Sequence, residues 1–353
     1  MDGLTLDFEC YDLIFNKPVG TSRGILVKKP SWILSLRDKE KMGQGECSVI
    51  PNLSKDFFNH KLYESKLNEL KMLLLKYCIA DFEFLNDEVR MPEKIESFLM
   101  NLPSIRFGIE MALFSMRTGV DREFFRNDFF LGSKKIPING LVWMDSISMM
   151  SKSIEDLIER GFKVIKIKIG ALDFEKEIQL LNEVRNKYGN HIELRVDANG
   201  AFAPQEIEIK LQKLVQFNLH SIEQPIKPGL HSKMRKICEE RLVPIALDEE
   251  LIGVENLAGM EKLVLSIKPQ YLVLKPSLHG GFKGVKKWIN LAEENKIGWW
   301  ITSALESNLG LEAIAQFTSN YDLTLAQGLG TGSIYKNNLS SNLIVENGYL
   351  TRK

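Results

Sequence analysis

The chain has 353 residues, with 44% hydrophobic and 26% charged side chains, and its 46 basic and 46 acidic residues give a formal net charge of +0. That is enough for two domains or one large one with a sizeable core, and the charge balance argues against a nucleic-acid or membrane-surface partner. Four scattered cysteines without a C-x-x-C pair argue against structural zinc and a disulfide framework, no apolar run approaches a membrane span, and the acidic start lacks a secretory signal; a reducing cytoplasm is the expected setting.

Residues 4–36 read as alternating strands around a turn at Thr21-Ser22-Arg23-Gly24, and Gly43-Gln44-Gly45-Glu46 reads as a tight turn or loop. Helical spacing follows at Leu62, Leu67, Leu70, Leu73 and Leu74, and again at Ile105, Ile109, Ala112 and Leu113. Residues 1–132 are therefore expected to form an α+β domain.

After Pro137 the texture changes to short strands, each followed by an amphipathic helix. Strands are expected at 138–143, 164–169, 192–197, 221–224, 244–248, 272–275, 299–303 and 323–326. This alternation predicts a (β/α) barrel over 133–326, with 327–353 returning to the first domain. A doubly wound sheet is disfavoured, because no G-x-G-x-x-G follows the early strands.

The chemistry sits at the strand ends. Val164-Ile165-Lys166-Ile167-Lys168-Ile169 alternates with period two, so Lys166 and Lys168 leave one face. Lys168, Asp197, Glu223, Asp248 and Lys275 follow one another at intervals of 29, 26, 25 and 27 residues, one βα unit each. Such residues gather on the rim at the strand C-termini of a barrel. Taken singly, each acid is better explained as a helix cap or surface residue; three in consecutive units argue for a site. Asp197, Glu223 and Asp248 offer hard oxygen donors without histidine or cysteine, which favours Mg²⁺ (or Mn²⁺) over zinc. Asn199 and Glu249 are candidates to support the ligands. A divalent ion between lysines suits proton abstraction next to a carboxylate of a small-molecule substrate. Lys166 and the ion would both disfavour the charged form of Lys168, making it the candidate base, and Lys275 could act from the opposite face.

Five pieces in order, Lys166-Ile167-Lys168, Asp197-Ala198-Asn199, Glu223-Gln224-Pro225, Asp248-Glu249 and Lys275-Pro276, resemble the enolase superfamily, muconate-lactonising subgroup. The resemblance implies a (β/α)7β TIM-like barrel closed by an N-terminal α+β capping domain. Within the subgroup, Thr302-Ser303-Ala304-Leu305-Glu306-Ser307-Asn308-Leu309-Gly310 is similar to the corresponding segment of the o-succinylbenzoate synthases, as are Thr21-Ser22-Arg23-Gly24 and 328–332. That family's reaction is the dehydration of 2-succinyl-6-hydroxy-2,4-cyclohexadiene-1-carboxylate in menaquinone biosynthesis. The Asp-x-Asp that dipeptide epimerases usually carry at the seventh strand is missing, which argues against dipeptides but not against N-succinylamino acids. Ser303, Glu306 and Ser307, with free N–H groups at a helix start, are expected to meet an anionic succinyl tail, and Thr21 and Arg23 to close over it; capping explains the serines equally well. The second reading is a racemase or epimerase of N-succinylamino acids or dipeptides with Lys168 and Lys275 as opposed bases; a non-catalytic scaffold is the third, disfavoured by the complete set of acids and lysines.

Overall fold

A computed structural model describes residues 3–21 and 24–353. The chain opens with an antiparallel sheet of β1 (Thr5–Thr21), β2 (Gly24–Asp38) and β3 (Lys41–Ser48), in that order. Leu4 just before the first strand, Leu6 within it, and Leu34 and Leu36 of the second are fully buried with period-two spacing, so one face of the sheet is core. On it lie α1 (His60–Leu74) and α3 (Pro103–Thr118), with the one-and-a-half-turn α2 (Glu93–Phe98) against α1 and the small hairpin of β4 (Glu83–Phe84) and β5 (Val89–Arg90) beside α3. Asn59 starts α1 by accepting from the Leu62 N–H, and Tyr63, Leu67, Leu70 and Leu74 form its single buried stripe. Pro103 opens α3 and Gly119, at φ +67, ends it.

One expectation fails here. Gly43-Gln44-Gly45-Glu46 is not a turn but the middle of β3. A Cβ on Gly43 would lie 1.9 Å from the Ala112 carbonyl oxygen and one on Gly45 1.9 Å from that of Gly108. The glycines let a helix backbone lie directly on the strand. For the same reason α3 is not amphipathic: every residue from Pro103 to Met116 is buried, between the cap sheet and the second domain.

That domain begins after β6 (Ile136–Pro137). Its strands are β7 (Gly140–Val142), β8 (Val164–Lys168), β9 (Glu193–Asp197), β10 (Ser221–Glu223), β11 (Ile245–Leu247), β12 (Tyr271–Leu274) and β13 (Gly298–Ile301). They alternate with α4 (Ile147–Glu159), α5 (Phe174–Tyr188), α6 (Ile207–Leu214), α7 (His231–Glu240), α8 (Leu257–Ile267), α9 (Gly281–Glu294) and α10 (Asn308–Thr318). The seven strands are parallel neighbours in sequence order. The expected strand at 323–326 does not form. Instead single parallel bridges, Ile138 to Gln327 and Thr302 to Gly328, join the two edges and close the barrel. The Gln327 side chain accepts from the Ile301 N–H and the Arg195 guanidinium donates to the Ala326 carbonyl, so side chains carry bonding that a full strand would supply. This is a (β/α)7β barrel with an N-terminal α+β cap.

Ile165 and Ile167 are buried towards the helices while Lys166 and Lys168 turn inward. Lower in the barrel Arg195 lies 4.5 Å over the Trp300 ring, and Trp299 packs outside on Tyr321. At the chain end, residues 334–336 bond to Ile14 and Asn16 of β1, Ser341 and Asn342 donate to Glu312 of α10, and the hairpin β14 (Leu343–Glu346) and β15 (Tyr349–Arg352) adds to β6. Among the described residues no helix is long and apolar enough to cross a membrane, and the four cysteines are free thiols.

Candidate active site

Parallel register sets the rim. Lys168 is level with Asp197, and Asp197 with Glu223, each the last residue of its strand. Asp248 and Lys275 directly follow β11 and β12. The structure therefore brings together the five strand-end residues and Lys166. Asp197, Glu223 and Asp248 are essentially unexposed.

The charges interlock. Lys166 Nζ lies 2.7 Å from Asp197 Oδ2 and 2.6 Å from Glu223 Oε2, and Lys168 Nζ shares Asp197 Oδ2 at 2.6 Å. Lys275 Nζ donates to both oxygens of Asp248, at 2.5 Å to Oδ1. Burial alone would raise the Asp197 carboxyl, but Lys166 and Lys168 hold it well below the usual range. Glu223 is pushed the other way, by burial and then by Asp197. Burial would likewise lower Lys166, yet Asp197, Glu223 and Asp248 raise it, so it stays a fixed cation.

Asn199 supports this set. At φ +44 it turns its own N–H onto Asp197 Oδ1 at 3.0 Å, accepts from Lys168 at 2.7 Å and donates to Glu249 Oε1 at 2.9 Å. Gln224, which spacing did not single out, accepts from the Asp248 and Glu250 N–H groups and donates to Glu250 Oε2, tying two strand ends together. Buried His279 accepts from the Lys275 N–H at 3.0 Å; burial lowers its imidazole to about 3, so it is a neutral acceptor.

The donor chemistry fits a hard divalent cation. All candidate ligands are carboxylate oxygens, and Glu223 Oε1 is buried without a hydrogen-bond partner. Lys166 occupies one oxygen each of Asp197 and Glu223, and Lys275 is paired with Asp248, so ammonium groups hold carboxylate oxygens that a cation would use. Binding a cation here thus requires the lysines to give way. Cys10, Asp12 and His60 bring one donor atom each within 4.8 Å of one another, but on the outer face of the cap, where Asp12 already pairs with Lys28 at 2.7 Å.

A cavity of about 230 Å³ opens over the lysines, lined by Lys166, Lys168, Asn199, Glu223 and Lys275 below and by Leu26, Ile50 and Leu53 of the cap above. The apolar cap residues left no signal beyond ordinary strand patterning. Trp143, Ser303, Ala304 and Leu305 complete the wall. Thr21 is the last residue of β1, and Gly20 and Gly24 line the cavity; Arg23 lies outside the described residues.

The helix-start expectation is corrected. Ser303 lines the cavity, but its hydroxyl donates to Glu306 at 2.6 Å. Glu306 is fully buried behind the wall, accepts also from Ser277, and is raised by burial. Ser307 is fully buried too, and the N–H groups at the start of α10 are not free: Ser307 N and Gly310 N both donate to Glu46 of β3.

Residues 149–353 match the family model for enolase C-terminal domain-like proteins. The chain is 44% identical over 369 aligned positions to the o-succinylbenzoate synthase of Desulfotalea psychrophila, covering 99% of each protein. The crystal structure of MenC from Desulfotalea psychrophila LSv54 superposes with a TM-score of 0.87 at 39% identity, over 99% of this chain and 100% of that one. A substrate-liganded L-Ala-D/L-Glu epimerase of Bacillus subtilis shares the fold at a TM-score of 0.81 and 20% identity, over 100% of this chain and 97% of that one. Enzymes of this superfamily use a divalent metal. With its barrel, its cap and its strand-end acids and lysines, the chain belongs to the enolase superfamily.

Proposed function

We infer that this chain is a hydro-lyase that converts 2-succinyl-6-hydroxy-2,4-cyclohexadiene-1-carboxylate to o-succinylbenzoate, a step of menaquinone biosynthesis. The observation that carries the reading is the 44% identity to an o-succinylbenzoate synthase over 99% of the chain, with the strand-end acids and lysines complete. Asp197, Glu223 and Asp248 are the proposed ligands, and Mg²⁺ is the proposed ion because every donor is a hard oxygen. When bound, the ion supplies Lewis-acid stabilisation of charge on the substrate carboxylate.

The chain's own residues do the rest. Lys168, at the mouth of β8, removes the proton on the carbon bearing the carboxylate. The C–O bond then breaks, and the hydroxyl leaves as water with the proton that Lys168 carries. Lys275, four strands further round the barrel, faces the ring from the other side as a fixed positive charge. Lys166 keeps Asp197 and Glu223 in place. Aromatisation drives the elimination, so little is asked of the second lysine. The apolar residues Leu26, Ile50 and Leu53 suit the ring and exclude water above it.

One geometric feature favours a second reading. Lysines on opposite sides of a cavity are what racemisation of an N-succinylamino acid needs. The deciding experiment is an ultraviolet dehydration assay with Mg²⁺, run beside N-succinylamino acids and dipeptides in D₂O. Fast conversion that EDTA abolishes is the expected result. No dehydration, with α-deuteration of an amino-acid derivative, would replace the synthase with a racemase or epimerase.

A further inference from the structure

The cap reaches into the barrel with a buried carboxylate. Glu46 of β3 is fully buried and accepts from the Ser307 N–H at 3.0 Å, the Ser307 hydroxyl at 2.6 Å and the Gly310 N–H at 3.1 Å. These are donors of the first turn of α10, where a negative charge is favoured by the helix dipole. A Cβ at Gly310 would lie 2.8 Å from Glu46 Oε2, so the helix is bare where the carboxylate enters. From the cap side the Ser31 hydroxyl donates to Glu46 Oε1 at 2.8 Å, and Lys29, equally buried, donates to Ser31 and Ser48.

The segment before α10 is the cavity wall. Leu305 stands at φ +64, a left-handed conformation that costs a side-chain-bearing residue energy and must be held. Its carbonyl accepts from the Tyr335 hydroxyl at 2.6 Å and its N–H donates to Ser303 Oγ at 2.9 Å. Ala304 and Leu305 pack in one cluster with Leu13, Phe15 and Val19 of β1 and Ile50 of the cap. The wall therefore takes its shape from β1 and Tyr335 on one side and from the Glu46–Ser307 contact on the other.

We propose that Glu46 is a positioning residue for the reaction: by capping α10 from the other domain, it sets the 303–307 wall and so couples cap docking to the shape of the substrate cavity. It touches no reacting atom and acts through Ser307 and Leu305. The inference rests on the function proposed above only for the choice of substrate.

The test is steady-state kinetics at a temperature well below unfolding, with amide hydrogen exchange over 303–311 as a readout independent of chemistry. Glu46→Ala should raise KM about tenfold while kcat stays within about threefold, since the lysines and acids are untouched. Exchange across 305–310 should speed up by about tenfold in the same variant. Glu46→Gln, which keeps an acceptor for Ser307, should recover most of the KM. A folded Glu46→Ala enzyme with wild-type KM and wild-type exchange would overturn the proposal, as would equal losses in the alanine and glutamine variants. Should Glu46→Ala not fold, Ser31→Ala loosens Glu46 from behind and should raise KM about twofold to threefold. Unchanged KM together with unchanged exchange over 305–310 in Ser31→Ala would then decide against it. An inactive wild type counts against the synthase reading alone, because hydrogen exchange still reports on Glu46.

Discussion

Lys166 and Lys168 leave the same face of β8, but their surroundings divide the work. Lys166 is wedged between Asp197 and Glu223, whereas Lys168 meets Asp197 and Asn199 at the cavity floor. On the proposed reading, Lys168→Ala should lower kcat by about 10²–10⁴-fold and abolish exchange of the substrate α-proton with D₂O. Exchange at the wild-type rate would remove Lys168 as the base. Asp197→Asn takes away a proposed ligand and the shared partner of two lysines. It should cost at least about 10³-fold in EDTA-sensitive activity while circular dichroism stays native. Full activity in that variant would exclude Asp197 as a ligand. These residues were legible in the sequence for a physical reason: a period-two strand and a one-βα-unit spacing fix both face and height on the rim. The role of Glu46 was not legible, because its partner Ser307 lies 261 residues away and nothing local marks the two as a pair.

At the scale of elements, glycine carried two meanings that a sequence cannot separate. Gly-x-Gly at 43–45 has the composition of a turn, yet it serves a strand lying against a helix. The missing signal was α3, whose buried surface runs all the way round and so shows no stripe to pair with the strand. Gly45→Ala places a methyl 1.9 Å from the Gly108 carbonyl oxygen, which neither backbone can accept without shifting. The variant should lose about 1–3 kcal/mol of stability, read as a lower urea midpoint at unchanged slope. A midpoint equal to wild type would mean that the strand and helix separate freely, and that their contact does not hold the cap together. The Ser303 and Ser307 pair illustrates the same limit at a helix start. Both were read as one binding set; the structure gives Ser303 to the cavity wall and Ser307 to the interface with the cap.

Across the whole molecule, two acids of the cap serve helices of the barrel. Glu46 caps α10, and Glu110 of α3 accepts from the N–H groups of Phe282 at 2.6 Å and Lys283 at 3.4 Å, at the start of α9. Gly281 allows this approach, since a Cβ there would lie 2.2 Å from Glu110 Oε2. Phe282 packs beside it on Phe107, Phe114 and Phe125, so the carboxylate is sealed in an apolar seam. Burial raises the Glu110 carboxyl to about 7, against the downward pull of Arg106 and the two N–H groups. The sign of the consequence follows from the raised value. The folded state holds the Glu110 proton more tightly than the unfolded chain, so this contribution to stability is complete below about pH 4.5 and is lost as pH rises through about 7. Glu110→Gln keeps an acceptor for the Phe282 N–H and stays neutral at every pH. Between pH 4.5 and pH 8 the urea stability of Glu110→Gln relative to wild type should therefore improve by about 3 kcal/mol. A difference that does not change with pH would mean that Arg106, which Glu96 also holds at 2.9 Å, keeps Glu110 ionised throughout. The cap would then be fastened to α9 by charge rather than by a protonated seam, and alkaline conditions would no longer be where the two domains separate most easily.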